Sequence, residues 1–303
     1  MKCIPVLELN SMAADPQKLI EGSENAYADR ISRAAELIYR ERSEKPVVLI
    51  SGPSGSGKTT TAARIARLLE DNGCRAHTIS MDNYFLPLTA EERQLAEEGM
   101  FDFESPKRLD TELFKQHIEL LGRCCPIDVP AFDFALQDRK PGYRLEYKAG
   151  DIVIMEGIHA LNPDVIGHSD EYTNRVYVSV RTRLESGGEL LHPSKIRLMR
   201  RLIRDKLYRG RSITETMEFF RSVERGEDLY IMPYKHRANF DIDTFIAYEP
   251  MVYRDILLDD LHSVSETYPE YGKYADIEKF LLKLEPLNRD GVPDNSLVRE
   301  FIG

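Results

Sequence analysis

Residues 46–60 read PVVLISGPSGSGKTT, an apolar run that flows into a glycine-rich loop and ends on lysine. Gly52, Gly57, Lys58 and Thr59 fill the G-x-x-x-x-G-K-[ST] pattern of a P-loop. The spacing has a chemical reason. Glycines let successive backbone N–H groups curl around a phosphate, and the helix that follows adds its positive dipole end. Gly52, Pro53, Ser54, Gly55, Ser56, Gly57, Lys58, Thr59 and Thr60 are therefore expected to hold a nucleoside triphosphate. Lys58 would reach its β- and γ-phosphates, and the Thr59 hydroxyl would ligate Mg²⁺. This loop fixes the fold around it, because it works only between a buried strand and a helix.

The bulk properties narrow the class. A chain of 303 residues has room for one large α/β domain or two small ones. Its net charge of −10 argues against a general nucleic-acid binder, and none is expected as a partner. Cys3, Cys74, Cys124 and Cys125 show no C-x-x-C spacing, so reduced thiols are expected. No apolar run approaches a membrane span, and the first residues lack a signal-peptide core. Those readings predict a cytoplasmic protein with no membrane partner.

Hydrophobic spacing predicts a polar amphipathic helix over 26–42, a buried strand at 47–50 and a helix at 60–69. Strands are expected at 75–81, 151–155, 175–180 and 240–247, with helices at 111–121, 194–208 and 213–225. Beyond Glu249 the pattern predicts one helix near 274–284 and then a loop rich in Pro, Asn and Asp. Strands alternating with helices imply an α/β P-loop NTPase fold, a parallel sheet with helices on both faces. The expected division is an N-terminal helical extension (1–45), a kinase domain (46–248) and a C-terminal helical extension packed on it (249–303).

A P-loop alone names no reaction. Strand 151–155 ends in Glu156-Gly157, where a Walker-B carboxylate would hold Mg²⁺ directly or through water. The competing account, an acid that only marks the strand's exit to solvent, is weaker because so apolar a strand needs no carboxylate to fold. A GTPase is disfavoured: no N-K-x-D motif occurs, and the D-x-x-G at 164–167 does not follow a Walker-B-type strand. The strand at 75–81 leads into Asp82-Asn83-Tyr84-Phe85. Asp82 stands where a carboxylate could accept a substrate hydroxyl's proton, and taken alone it serves equally well as a turn former or helix N-cap.

Here the chain resembles the uridine kinase and phosphoribulokinase family of P-loop kinases, most closely its bacterial nucleoside kinases, over about 46–247. Asp82 with Tyr84-Phe85 matches an aspartate–aromatic motif whose aspartate is the general base. Phe101-Asp102-Phe103, with Pro106 and Asp110, is similar to F-D-x-P…D, where the aspartate binds ribose hydroxyls. Residues 129–134 resemble a P-x-Y-D-F hairpin over the nucleoside, and Met155-Glu156-Gly157-Ile158 matches F-E-G-I. Arg200-Arg201-Leu202-Ile203-Arg204-Asp205, then Arg209-Gly210-Arg211, matches an arginine-rich helical lid at about 194–212. Residues 295–303 resemble the ending of longer bacterial nucleoside kinases.

The resemblance implies that Arg204, Arg209 and Arg211 face the transferred phosphoryl group with Lys58, and that Arg201 reaches the substrate side. Guanidinium groups suit charge spread over γ-phosphoryl oxygens. An RNA-binding face is the weaker account of this basic run, which contains no stacking aromatic platform. Tyr84, Phe85, Asp102, Phe132, Gln137 and Arg139 are the implied substrate contacts. The family also implies ATP as donor, with GTP the alternative, Mg²⁺ as cofactor, and a homo-oligomer.

Base reading departs from the family. Uridine kinases carry Y-D-F-x-x-H-x-R where this chain has Phe132-Asp133-Phe134-Ala135-Leu136-Gln137-Asp138-Arg139. Phe132 stacks without offering a hydroxyl, and Gln137 stands for histidine. Phe85 replaces a tyrosine, and a lid glutamine is missing near Phe219. The expected reaction is therefore transfer of the γ-phosphate to the 5′-hydroxyl of a ribose-like acceptor, with the base left open. Two rivals remain. One is a kinase for a sugar phosphate or pantothenate, with Arg108, Lys107 and Arg139 forming an anion pocket. The other is a non-catalytic, nucleotide-dependent or RNA-associated P-loop protein. His159 reads equally as a substrate contact or as a surface or packing residue, His192 as a helix cap and His236 as solvated surface, and no cluster has transition-metal spacing.

Overall fold

The computed structural model describes residues 2–303. The strands in chain order are β1 (Cys3–Pro5), β2 (Val47–Ser51), β3 (Ala76–Ser80), β4 (Ile127–Asp133), β5 (Asp138–Leu145), β6 (Ile152–Glu156), β7 (Thr173–Ser179), β8 (Arg183–Ser186), β9 (Glu189–Leu191) and β10 (Phe240–Asp243). Five of them form one parallel sheet in the order β10-β7-β2-β6-β3. The P-loop strand lies at its centre, as a strand buried on both faces must. Val48 and Ile50 point into one apolar layer with the Pro16–Glu41 and Lys58–Asp71 helices. Val47 and Leu49 point into the other, with Phe114, Ile118 and Leu121 of the Thr111–Gly122 helix. This period-two alternation produces the three-layer α/β architecture expected from the sequence.

Register positions the chemistry. Ile50 pairs with Glu156, and Glu156 pairs with Ser80, so three strand ends align at one edge. The P-loop leaves that edge from β2, the 3₁₀ turn Met81–Tyr84 from β3, and Glu156 closes β6. β4 and β5 form the separate antiparallel hairpin expected beside the substrate cleft.

Three stretches differ from the sequence reading. The helix expected over 26–42 begins at Pro16, after a short unpredicted helix at Val6–Met12, because Asp15 caps it by accepting from Lys18 N and proline occupies its first turn. The strand expected over 240–247 stops at Asp243, whose carboxylate accepts from Arg181 N at 2.9 Å and Phe245 N at 3.0 Å and so turns the chain. A 19-residue helix, Glu249–Thr267, fills a stretch given no element. Its first turn is buried all round, from Glu249 through Tyr253, and this hides the amphipathic period. A small third sheet, β1-β8-β9, also went unpredicted; its strands are three or four residues long.

A single apolar cluster runs from Leu19 and Ile38 through the sheet to Leu257, Phe280 and Phe301, joining both terminal segments to the P-loop body. Among the described residues, no helix is long and apolar enough to cross a membrane.

Candidate active site

The P-loop is packed by β7 and by the C-terminal segment. A Cβ on Gly52 would lie 1.9 Å from the Val178 carbonyl oxygen, so only glycine lets β7 close on the loop. Gly57 has φ +80°, and a Cβ there would meet Leu297 at 2.5 Å. Lys58 Nζ donates to the Pro53 carbonyl at 3.3 Å. Burial lowers its pKa, opposed by the charges of Glu156, Asp82, Glu300 and Glu104. This lysine is thus held in a ring of carboxylates that a triphosphate would exchange for its own charge.

Thr59 Oγ1 donates to Glu156 Oε1 at 3.2 Å. One hydroxyl and one carboxylate are a hard-oxygen donor set, suited to Mg²⁺ that takes its other ligands from phosphates and water. Among the described residues, no group of three or more His, Cys, Asp or Glu could hold a metal alone.

Asp82 sits on the 3₁₀ turn beyond β3, where its N–H donates to Ser80 Oγ at 3.3 Å. The residue is open to the cleft, yet protein atoms crowd its carboxyl. Desolvation and then Glu156 push that carboxyl up to about 6, against the pull of Lys58 and Arg209. Glu104 went unnoticed in the sequence. Desolvation raises it to about 7, with Arg201 and Lys58 opposing and Asp102 and Asp82 reinforcing. Its only local signal is its position two residues after Asp102.

Asp102 is already oriented. Its Oδ1 accepts from Glu104 N at 3.1 Å and its Oδ2 from the Tyr230 hydroxyl at 2.8 Å, with Arg225 at 3.4 Å. His159 lies against Tyr230, 3% exposed, with Nδ1 buried and unpartnered. Desolvation lowers its pKa to about 4, so the imidazole is neutral.

The remaining substrate residues divide. Phe85, Phe132 and Phe134 form an aromatic triad with ring centroids 5.2–5.8 Å apart. Tyr84, by contrast, is fully buried and its hydroxyl bonds His117 Nδ1 at 2.8 Å, so it belongs to the core and not to the cleft. Gln137 occupies the hairpin turn at φ +51°, and its amide donates to the Phe134 carbonyl at 2.9 Å. Turn geometry, not a base edge, takes its polar group. Arg139 is held by Asp110 at 2.7 Å, and Arg108 by the Leu86 carbonyl at 2.7 Å between the Phe85 and Phe101 rings.

The lid arginines lie on the Pro193–Arg209 helix and the turn after it. Arg201, Arg204, Arg209 and Arg211 gather on one fully buried carboxylate, Asp205, at 3.4, 2.8, 3.4 and 3.8 Å. Arg201 also donates to Ser54 Oγ of the P-loop. Arg197 and Arg200 do something else: they clasp the loop backbone at Ser54 O (3.1 Å) and Gly55 O (3.0 Å). The C-terminal segment completes the loop's surroundings, for Thr60 Oγ1 donates to Glu300 and the Phe301 ring lies under Arg200. No local signal could have found Glu300, 240 residues from its partner.

Comparison with known proteins gives the family. The sequence model of the Phosphoribulokinase / Uridine kinase family matches residues 47–247. The chain is 29% identical over 195 residues to a uridine kinase of Halobacterium salinarum, covering 64% of this chain and 77% of that protein. It is 30% identical over 200 residues to a uridine kinase of Staphylococcus aureus strain Newman, covering 65% and 86%. The match to the chloroplastic uridine/cytidine kinase of Arabidopsis thaliana is 28% over 201 residues, 66% of this chain but 38% of that protein's length. Among solved structures, a possible uridine kinase from Bacillus stearothermophilus aligns over 71% of this chain and 98% of that one, with TM-score 0.48 and 18% identity. Phosphoribulokinase from Rhodobacter spheroides aligns over 66% and 70%, with TM-score 0.43 and 14% identity. With two thirds of its length matched from the P-loop strand to the end of the sheet, the chain belongs to the phosphoribulokinase/uridine kinase family.

Proposed function

We propose that the protein is an ATP-dependent kinase that transfers the γ-phosphoryl group to the 5′-hydroxyl of a neutral, ribose-bearing acceptor, a nucleoside. The observation that carries this reading is the charge of the acceptor cleft. Three carboxylates (Asp82, Asp102 and Glu104) face it, while three of the nearby cations that could bind a phosphorylated acceptor are already engaged and only the exposed Lys107 has no carboxylate partner among the described residues. Arg139 pairs with Asp110, Arg108 bonds a carbonyl, and Arg225 lies on Asp102. A sugar phosphate would meet net negative charge there, whereas neutral hydroxyls would find acceptors. Phe85 and Phe134 offer an apolar stacking surface for a base, with buried Phe132 packed behind them.

In this reading Asp102 orients the sugar, held in turn by Tyr230. Asp82 accepts the hydroxyl proton as the acceptor oxygen bonds to the γ-phosphorus and the bond to the β-phosphate oxygen breaks, releasing ADP. Lys58 and the arginines gathered on Asp205 meet charge on the phosphoryl oxygens. Mg²⁺, held through Thr59 and Glu156, would supply further neutralisation between the β- and γ-phosphates. Residues 46–248 act as the catalytic body, with 1–45 and 249–303 bracing it.

The test is phosphate transfer from Mg-ATP to uridine, cytidine, adenosine, guanosine, thymidine, ribose, ribulose 5-phosphate and pantothenate. One or more nucleosides should turn over, and Asp82→Asn should lower that rate about 10²–10⁴-fold while ATP still binds. Preferential turnover of ribulose 5-phosphate or pantothenate would overturn the nucleoside reading. An undiminished rate in the variant would remove Asp82 as the base.

A further inference from the structure

A second cleft, of about 330 Å³, opens on the far side of the P-loop from Asp82 and Glu156, between β7, β8, the start of the lid helix and the 3₁₀ segment Met232–Arg237. Arg181, Arg183, Arg197, Lys235, His192 and His236 line it. Two carboxylates also reach it, and both are already paired, Glu227 with Arg197 and Asp241 with Arg181. Arg183 and Lys235 have no carboxylate partner among the described residues, and Arg183 Nε is buried without any hydrogen-bond acceptor. Uncompensated cations converging in a concavity are unusual in a chain of net charge −10. They mark a place where the local field draws an anion.

The size and shape limit what that anion is. A cleft of this volume takes a small molecule and not a strand of nucleic acid or a peptide. Guanidinium and ammonium groups presented together match a phosphate. We infer that this cleft, which shares only Pro53 with the phosphate loop, is a second anion site that binds a phosphate-bearing small metabolite and communicates with the P-loop through Arg197. Burial first, then the charges of Arg183 and Arg197, lower the pKa of His192, opposed by Glu227 and Glu224.

The route of communication is direct. Arg197 donates one nitrogen to the Ser54 carbonyl at 3.1 Å and the other to Glu227 at 2.5 Å, and Pro53 of the same loop forms part of the cleft wall. A phosphate in the cleft competes with Glu227 for Arg197 and so changes how the loop is held. Linkage requires the converse, that filling the P-loop changes affinity for the second anion by the same factor.

Calorimetric titration with tripolyphosphate tests the site in four full-length proteins: the native chain, Lys58→Ala, Arg183→Ala/Lys235→Ala, and the triple variant. The native chain should bind two equivalents, and each partial variant should keep one. The triple variant should bind neither more tightly than tenfold below native, with circular dichroism confirming its fold. One equivalent in the native chain, abolished by Lys58→Ala, would overturn the second site. So would a second equivalent that survives replacement of Arg183 and Lys235. Failure of the P-loop reading looks different, since the equivalent lost in Lys58→Ala would then be absent from the start. Basal transfer kinetics in Arg183→Ala/Lys235→Ala should match the native chain.

Discussion

Two groups of arginines share one helix and the turn after it, and their partners differ. Arg197 and Arg200 turn inward to carboxylates and to the P-loop backbone. Arg200 is fully buried, with both oxygens of buried Glu249 on its guanidinium at 2.8 and 2.9 Å. Burial opposes its charge, but Glu249 more than offsets this and raises its pKa. Arg204, Arg209 and Arg211 crowd instead on Asp205, with Arg209 and Arg211 partly open to the cleft. With Arg201 also on Asp205, one carboxylate cannot neutralise four guanidiniums, so this cluster carries excess positive charge, which the proposed reading aims at the phosphoryl group. The comparison teaches that an arginine run in sequence mixes scaffold and machinery.

The largest effect that could break this distinction concerns Arg200. Arg200→Ala leaves Glu249 charged, buried and unpaired, and chemical denaturation should show a loss of about 3–5 kcal/mol. If that variant fails to fold, Arg200→Met with Glu249→Leu should restore a cooperative transition, because an apolar pair replaces the ion pair. A loss under about 1 kcal/mol would erase the scaffold role.

Arg209→Ala should show the reverse split. Transfer should fall about 10²–10³-fold, as when one preorganised transition-state donor is removed. Its unfolding midpoint should barely move, since the side chain is about half exposed (48%) and shares Asp205 with three others. Equal losses in stability and rate would merge the two groups.

The carboxylates opposite sharpen the comparison through pH. Asp82 at about 6 and Glu104 at about 7 lie above their unfolded values of 3.8 and 4.5. The folded state therefore holds these protons more tightly, and stability is lost as pH rises from about 4 to 7. Asp82→Asn with Glu104→Gln should raise the melting temperature at pH 8 and leave it nearly unchanged at pH 4. A gain that is equal at both pH values would remove the electrostatic cause. The smallest effect belongs to an arginine with no buried partner. Arg40 is 73% exposed and lies 3.8 Å from Glu36, so Arg40→Ala should stay within about 0.5 kcal/mol of native in the same denaturation.

Legibility followed locality. The P-loop, Glu156 and Asp82 were readable because each sits at a fixed offset from a strand whose apolar pattern is plain. Asp102 was readable from its motif, and Glu104 beside it was not, because nothing local shows that Arg201 and Lys58 approach it. Tyr84 and Gln137 were read as substrate contacts, yet the structure commits their polar atoms to His117 and to the hairpin turn. The Glu249–Thr267 helix escaped because burial all round its first turn removes the period that marks a surface helix.

The sequence by itself determined the parallel sheet, the phosphate loop and the strand ends that converge on it. Those features follow from backbone preference and side-chain alternation over a few residues. Only the tertiary structure decided which arginines brace and which face the cleft, and that Leu297 and Glu300 close on Gly57 and Thr60. It also decided that Arg139 and Arg225 are already engaged, by Asp110 and Asp102. A charge acquires its role from its partners, and while the arginines on Asp205 find theirs nearby in the chain, Arg197 and Arg200 find theirs in Glu227 and Glu249, 30 and 49 residues away and beyond the reach of any local pattern.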